Sequence, residues 1–438
     1  MKRENSMSEK VTTFIDKYQL SASNVDTQQI IDLFLSQMEL GLTSSSDSSL
    51  AMLPSYINVN RDILLNKPVI VLDAGGTNLR VCTVYFDDNL QPVINDFANY
   101  LMPGIEKELS KVQFYELLIE YISPVIHVSD QISFCFSYTT EINEHDGKLL
   151  HWSKEISIPE LVGEYIGQGL LDALEKKGIL NKRVTLLNDT VSTLVAGKIF
   201  GEPRKCSSYI GFILGTGINT AYIEQNVKIN KVNLERGSQI INVESGGFDK
   251  FSISKPEIDF DSTTKDPNAY LLEKLTSGRY FGEAVSYVLQ QAYKDGVLSH
   301  DLTQSNNFPL QTYELSDFMD SPHQKPIFLD LTLSEECLSN AYLIIQQMIQ
   351  RGAKLSAINV ASTVLKTNQQ IQAGDSPLEP ICINIDGSTF YKLARFKEYF
   401  RQYLNEILVK KSIHYRICHV ENSPIVGSAI AVLATDSV

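Results

Sequence analysis

The segment PVIVLDAGGTNLRVCTVYF constrains the fold more than any other part of the chain. Two β-rich runs, 68–72 and 79–86, flank Gly75-Gly76, so the stretch predicts a hairpin closed by a glycine turn. Glycines placed there let backbone N–H groups approach a phosphate with no Cβ in the way. Because a strand follows the glycines, this is neither a dinucleotide fingerprint nor a P-loop, both of which open a helix. Thr77 and Asn78 add donors, and Arg80 offers a fork suited to phosphate oxygens. Asp73, at the strand end, could hold waters around a magnesium ion brought by a nucleotide. A bare hairpin turn would read the same way, so the loop needs company.

That company comes at Leu214-Gly215-Thr216-Gly217, which again follows a β-rich run, 209–214. Two such loops predict a duplicated framework that approaches one phosphate group from two sides. Between them lies VTLLNDTVSTLVAG, where a strand over 184–188 meets a helix. Asp189 or Thr190 could simply cap that helix. Alternatively, the Asp189 carboxylate accepts the proton of an attacking hydroxyl, since phosphoryl transfer asks the protein mainly for positioning and one base.

Elsewhere the pattern alternates between strand and helix. Ile30, Ile31, Phe34, Met38 and Leu42 recur at helical spacing, and the Ser-rich 43–49 ends that helix. Further strands are expected at 131–137 and 380–385, and helices at 161–177, 269–292 and 338–354. Another helix carries Leu393, Phe396, Phe400, Leu404 and Ile407 on one face. The mixture predicts layered α/β units. No repeat of 20–50 residues and no low-complexity linker is visible.

Composition sets limits on partners. A net charge of −14 argues against nucleic acid, whose phosphates require clustered Lys and Arg. No apolar run reaches the roughly 18–20 residues that span a bilayer, and the N-terminus has no apolar leader, so a cytoplasmic protein without a membrane is expected. The six cysteines are scattered and the seven histidines show no ligand spacing. Buried thiols and no directly bound metal are the expectation.

Several polar residues sit beside apolar stretches: Ser137, Ser153, Lys154, Asn219, Glu244 and Glu283. Singly, each would be a satisfied or capping residue. Together they are what a sugar pocket needs, because every ring hydroxyl both donates and accepts.

The chain resembles the hexokinase family, which includes glucokinase. The resemblance runs in order through MLPSYI, LDAGGTNLRV, FCFSYTT, WSKEI, LLNDTVSTL, GFILGTGINTAY, INVESGGF, SGRYFGE, RGAKLSAI, INIDGSTFYK and a Gly-Ser-Ala-Ile stretch near the C-terminus. It implies an actin-like ATPase (ribonuclease H-like) α/β fold with two lobes around a deep cleft. The small lobe would take 66–196 plus 427–438, and the large lobe 1–65 plus 197–426. The implied reaction is ATP- and Mg2+-dependent phosphorylation of a hexose, by analogy glucose, at its 6-hydroxyl, with Asp189 as base assisted by Lys154. Ser137, Ser153, Lys154, Asn188, Asp189, Asn219, Glu244 and Glu283 fall where the family holds its sugar. Asp73, Gly75, Gly76, Thr77, Asn78 and Arg80 match the first phosphate loop, Gly215, Thr216 and Gly217 the second, and Ser388 and Thr389 a loop near the nucleotide. A monomer or homodimer is expected.

The chain also departs from the family pattern. Tyr138-Thr139 stands where a proline usually follows the FSF-type turn, and WTKGF becomes WSKEI. Ser245 replaces a Trp beside the sugar-binding glutamate, and a GSGKGA-type stretch reads NSPIVGSA. A non-catalytic sugar sensor, or another actin-like enzyme such as an acetate kinase or chaperone ATPase, is the rival reading.

Overall fold

The computed structural model describes residues 9–44, 46–57, 62–143, 146–152, 156–201, 205–322, 328 and 330–435. Two sheets dominate it. The first contains β1 (Val69–Ala74), β2 (Asn78–Phe86), β3 (Pro92–Leu101), β4 (Gln131–Phe136) and β5 (Arg183–Leu187), in the order β3-β2-β1-β4-β5. β1 through β3 pair antiparallel, whereas β4 and β5 continue the sheet parallel to β1. The second contains β6 (Ser208–Leu214), β7 (Ile218–Gln225), β8 (Ser238–Asn242), β9 (Ile381–Asp386) and β10 (Tyr415–Cys418), in the order β8-β7-β6-β9-β10. Its directions repeat those of the first sheet, and Leu53–Pro54 adds an edge beside β8. The duplication expected from the glycine turns is therefore a duplication of whole sheets, with no counterpart repeat in the sequence.

The helices that frame the two sheets and the cleft are α1 (Thr27–Thr43), α2 (Lys111–Ile122), α3 (Ile166–Lys176), α4 (Asp189–Ala196), α5 (Leu271–Lys274), α6 (Phe281–Lys294), α7 (Glu335–Ile371), α8 (Ser388–Lys392), α9 (Phe396–Lys410) and α10 (Ser423–Leu433), and three further α-helices span Glu9–Lys17, Lys255–Asp261 and Thr312–Asp320. Among the described residues, none is long and apolar enough to cross a membrane.

β1 reads as an unbroken apolar run because both of its faces are covered. Ile70, Leu72 and Ala74 face a core with Phe114 of α2 and Leu170 of α3, while Val69 and Val71 face a second core. That second core is the seam between the sheets, and it is filled by α4 and α10. Each helix follows the last strand of one sheet and lies against the other sheet. Ser133 in β4 donates to the Ser428 carbonyl of α10 (3.0 Å), and Asn384 in β9 donates to the Thr193 carbonyl of α4 (2.8 Å). The two helices touch so closely that a Cβ on Gly427 would stand 1.8 Å from the Ser192 carbonyl oxygen. α7 and α9 cover the outer face of the second sheet, with Ile358, Val364, Phe400 and Leu404 in its core.

Three helical expectations need correction. The helix expected over 161–177 starts only at Ile166, because Gly163 adopts φ +88 just before it. The single helix expected over 269–292 is two, α5 and α6. Between them the Gly278 N–H turns out to donate to the Gly215 carbonyl (2.8 Å), a bond no continuous helix could make. Leu393 lies outside α9, which opens at Phe396 after Arg395 in the left-handed region. Strands β3, β7, β8 and β10 are additional. No residue of β3 is buried, and Asn95, Asp96 and Asn99 interrupt its apolar residues, so it shows no sustained apolar run.

Candidate active site

The two glycine turns meet. A Cβ on Gly76 would lie 2.5 Å from Cγ2 of Thr216, so only glycine lets the second turn close over the first. The second turn is tied down from behind, its Gly215 carbonyl accepting from the Thr389 hydroxyl (2.8 Å) and the Gly278 N–H (2.8 Å). Gly387, before α8, combines φ +111 with a Cβ position 2.3 Å from the Leu214 carbonyl, so no L side chain fits there. In the first turn, Asn78 donates to the Thr77 hydroxyl (3.1 Å), and the Gly75 carbonyl accepts from the Tyr138 hydroxyl (2.6 Å).

A cavity opens beside these turns. It is lined by Gly76, Ser137 and Thr139 from the first half, by Asn188 and Asp189 at the start of α4, and by Thr216, Gly217, Asn219, Glu244, Gly246, Tyr270 and Glu273 from the second. Thr216 also lines a second cavity, together with Thr77, Arg279, Ser388, Thr389 and Lys392. The two spaces therefore meet at the glycine turns.

Asn188, not Asp189 or Thr190, caps α4: it stays extended and its side chain accepts from the Thr190 N–H (2.8 Å). This correction removes the purely structural reading of Asp189. Asp189 is the first helical residue, half-exposed on the cavity wall, with Thr190 donating its hydroxyl to the carboxylate (3.1 Å). A negative charge in that first turn is favoured by the helix dipole.

The opposite wall is a chain of amides and carboxylates. Asn219 donates to Asn242 (2.7 Å), Asn242 donates to Glu244 (2.7 Å), and the Asn219 carbonyl oxygen accepts from the backbone of Thr220 and Ser245. Each donor has its acceptor, so the buried network is rigid rather than frustrated. Ser245, where a Trp was expected, is buried and accepts from Asn359 of α7 (3.0 Å). Asn242 and Asn359 drew no notice in the sequence, since amides in a short strand and a long helix carry no local signal.

Glu283 is not among the residues that line these two cavities. It pairs with Arg279, one turn away on the chain, at 2.6 Å. Glu273, which the sequence reading did not single out, is buried in α5, lines the first cavity, and accepts from the Ile218 N–H (3.2 Å). In sequence, LLEKL reads as an ordinary amphipathic turn, and only the break at Gly278 turns its glutamate inward. Ser153 and Lys154 lie outside the described residues.

Asp73 is buried at the end of β1 and pairs with Arg80 (3.0 Å), whose other guanidinium donors remain partly exposed. Burial pushes the Asp73 carboxyl up to about 6; Arg80 opposes this, and the charges of Asp189 and Asp386 add to it. Asp386 accepts from the Gly387 N–H (2.6 Å) and the Ser423 hydroxyl (2.8 Å). Oxygen donors that repel one another suit a hard cation such as magnesium. Among the described residues, no three His, Cys, Asp or Glu side chains form a ready metal cage.

A family model described as Hexokinase matches residues 209–434, and a second of the same description matches 10–199. The chain is 29% identical over 412 residues to Hexokinase-1 of Schizosaccharomyces pombe, covering 87% of this chain and 81% of that protein. It is 27% identical over 435 residues to Hexokinase-1 of Arabidopsis thaliana, covering 92% of this chain and 86% of that protein. Among solved structures it is similar in fold to a hexokinase from Schistosoma mansoni complexed with glucose, with a TM-score of 0.83, 22% identity, and coverage of 98% of this chain and 99% of that one.

Proposed function

The chain belongs to the hexokinase family, and from that premise we propose that it transfers the γ-phosphoryl group of ATP to the 6-hydroxyl of a hexose, glucose first among them. One observation carries the reading: Asp189, Ser137, Asn188, Asn219, Glu244 and Glu273 line one cavity whose rim is formed by Gly76 and Thr216.

The amides and carboxylates of the far wall match a ring of hydroxyls, each of which donates and accepts. The triphosphate lies along the turns at Gly75, Gly76, Thr77 and Gly215, Thr216, Gly217, with the nucleoside toward Arg279, Ser388 and Thr389. Asp189 accepts the proton of the sugar hydroxyl as its oxygen bonds to phosphorus and the bond to the β-phosphate oxygen breaks. Thr190 holds that carboxylate in one orientation. For Ser153 and Lys154 the proposal keeps the sugar-holding part that the resemblance implies. Magnesium neutralises phosphate charge when bound, and Asp73 and Asp386 would hold it through its waters. Enclosing the sugar excludes water, which would otherwise compete for the phosphoryl group. The small lobe proposed at 66–196 plus 427–438 accords with α10 packing on the first sheet.

Release of ADP, coupled to a colour readout with glucose, mannose, fructose and glucosamine, tests the reading. Sugar-dependent ADP is expected with at least one hexose. Tight hexose binding without any ADP would instead favour a sensor.

A further inference from the structure

The cavity contains a contact that a sugar-binding wall does not need. Thr139 follows β4 in the first half, and its hydroxyl donates to Oε2 of Glu244, which follows β8 in the second half (3.1 Å). Tyr270, also in the second half, lies within hydrogen-bonding reach of the same Thr139 hydroxyl. Burial and the Glu244 charge raise the Tyr270 phenol above its ordinary value. Its ring stacks on His151 at 5.3 Å, and His151 faces Asp266 at 3.3 Å. The Thr139–Glu244 bond therefore crosses the cleft with Tyr270 on the same cavity wall.

We propose that the Thr139 hydroxyl clasps the two halves over the sugar cavity and so sets the affinity for hexose; this rests on the functional reading above. Oε1 of Glu244 is already held by Asn242 (2.7 Å). The Thr139 bond joins the two halves directly at the cavity and lowers the free energy of the closed arrangement before sugar arrives. A pocket that is closed more of the time binds its ligand more tightly in proportion. A proline at this position, which the resemblance leads one to expect, could make neither bond. Glu244 itself sits at φ 56, a left-handed conformation unusual for glutamate, and that aims its carboxylate toward Thr139.

The test is titration calorimetry with D-glucose in the absence of nucleotide, alongside small-angle scattering of the sugar-free protein. Thr139→Val keeps the shape of the side chain and removes the hydroxyl. It is expected to weaken glucose binding roughly tenfold, the scale of one hydrogen bond to a charged group, and to enlarge the radius of gyration of the free protein. Thr139→Ser restores the hydroxyl and is expected to bind within about twofold of the wild type. Equal or tighter binding by Thr139→Val, or no rescue by Thr139→Ser, overturns the clasp alone. A wild-type protein that takes up none of the four hexoses overturns the functional reading and the clasp with it.

Discussion

The two halves share a strand order yet place their chemistry differently. In the first sheet the buried acid sits on the central strand, Asp73 of β1, beside Cys135 of β4. In the second, the central strand β6 carries Ile213 at that place, and the acid has moved one strand over to Asp386 of β9, directly beside it. The helices that follow differ as well. α4 begins one residue after β5 behind a bonded Asn188 cap, whereas α10 begins after a four-residue connection, with Asn422 in the left-handed region and no side-chain cap bond. A framework fixed by backbone pairing leaves its strand ends free to vary. The first half presents Asp189 to the cavity, and the second presents Asn219, Glu244 and Glu273.

The sharpest way to break this comparison is to exchange the two first-turn residues, Asp189 of α4 and Ser423 of α10. Asp189→Asn should lower turnover by about 10²–10⁴-fold while glucose still binds by calorimetry. Ser423→Ala should change turnover by no more than about threefold, since it loses only neutral-hydroxyl bonds to Asp386 and Thr193 and no group that lines the cavity. Similar losses in both variants would mean that the halves are equivalent in the reaction.

Asp73 offers a pH test. Its carboxyl is raised to about 6 from 3.8 by burial, so charging it opposes folding. The native state holds the proton that the unfolded chain has already released, and stability from this group falls as pH rises from about 4 through about 6. Chemical unfolding of the wild type and Asp73→Asn should diverge over that window by about 3 kcal/mol in favour of the variant, and run parallel above it. A constant gap from pH 4 to 7 would show that Asp73 is solvated. Ile213→Asn, at the matching place, should give no such window.

A smaller effect separates the two glutamates. Glu273→Gln should raise the KM for hexose about ten- to hundredfold, because a buried charged acceptor is lost. Glu283→Gln removes a half-exposed i,i+4 pair with Arg279 and should alter KM by less than about twofold. Reversed effects would restore Glu283 to the site and overturn the placement of α5.

Much of this was legible in the chain. The hairpin at Gly75-Gly76, and the strand that leads into Gly215–Gly217, were readable because a steric demand for glycine beside β-branched runs is local. Asn188 and Asp189 could be named because they end the visible run at 184–188, whereas Asn219 and Glu244 stood out only as polar residues beside apolar stretches. Glu273 could not be separated from Glu283, because both lie in helical patterns and the deciding event is the Gly278 contact with Gly215, over sixty residues away. Nor could the Thr139–Glu244 bond be foreseen, since its partners lie 105 positions apart.

What the sequence determined alone was therefore the central strands β1, β2, β4, β5, β6 and β9 and the two glycine turns, whose causes are propensity, periodicity and Cβ-free backbone within a few residues. The tertiary structure decided which sheet edge faced which, that α4 and α10 cross to the opposite sheets, and which carboxylates met across the seam. Those outcomes depend on packing between segments far apart in the chain, which no local pattern records.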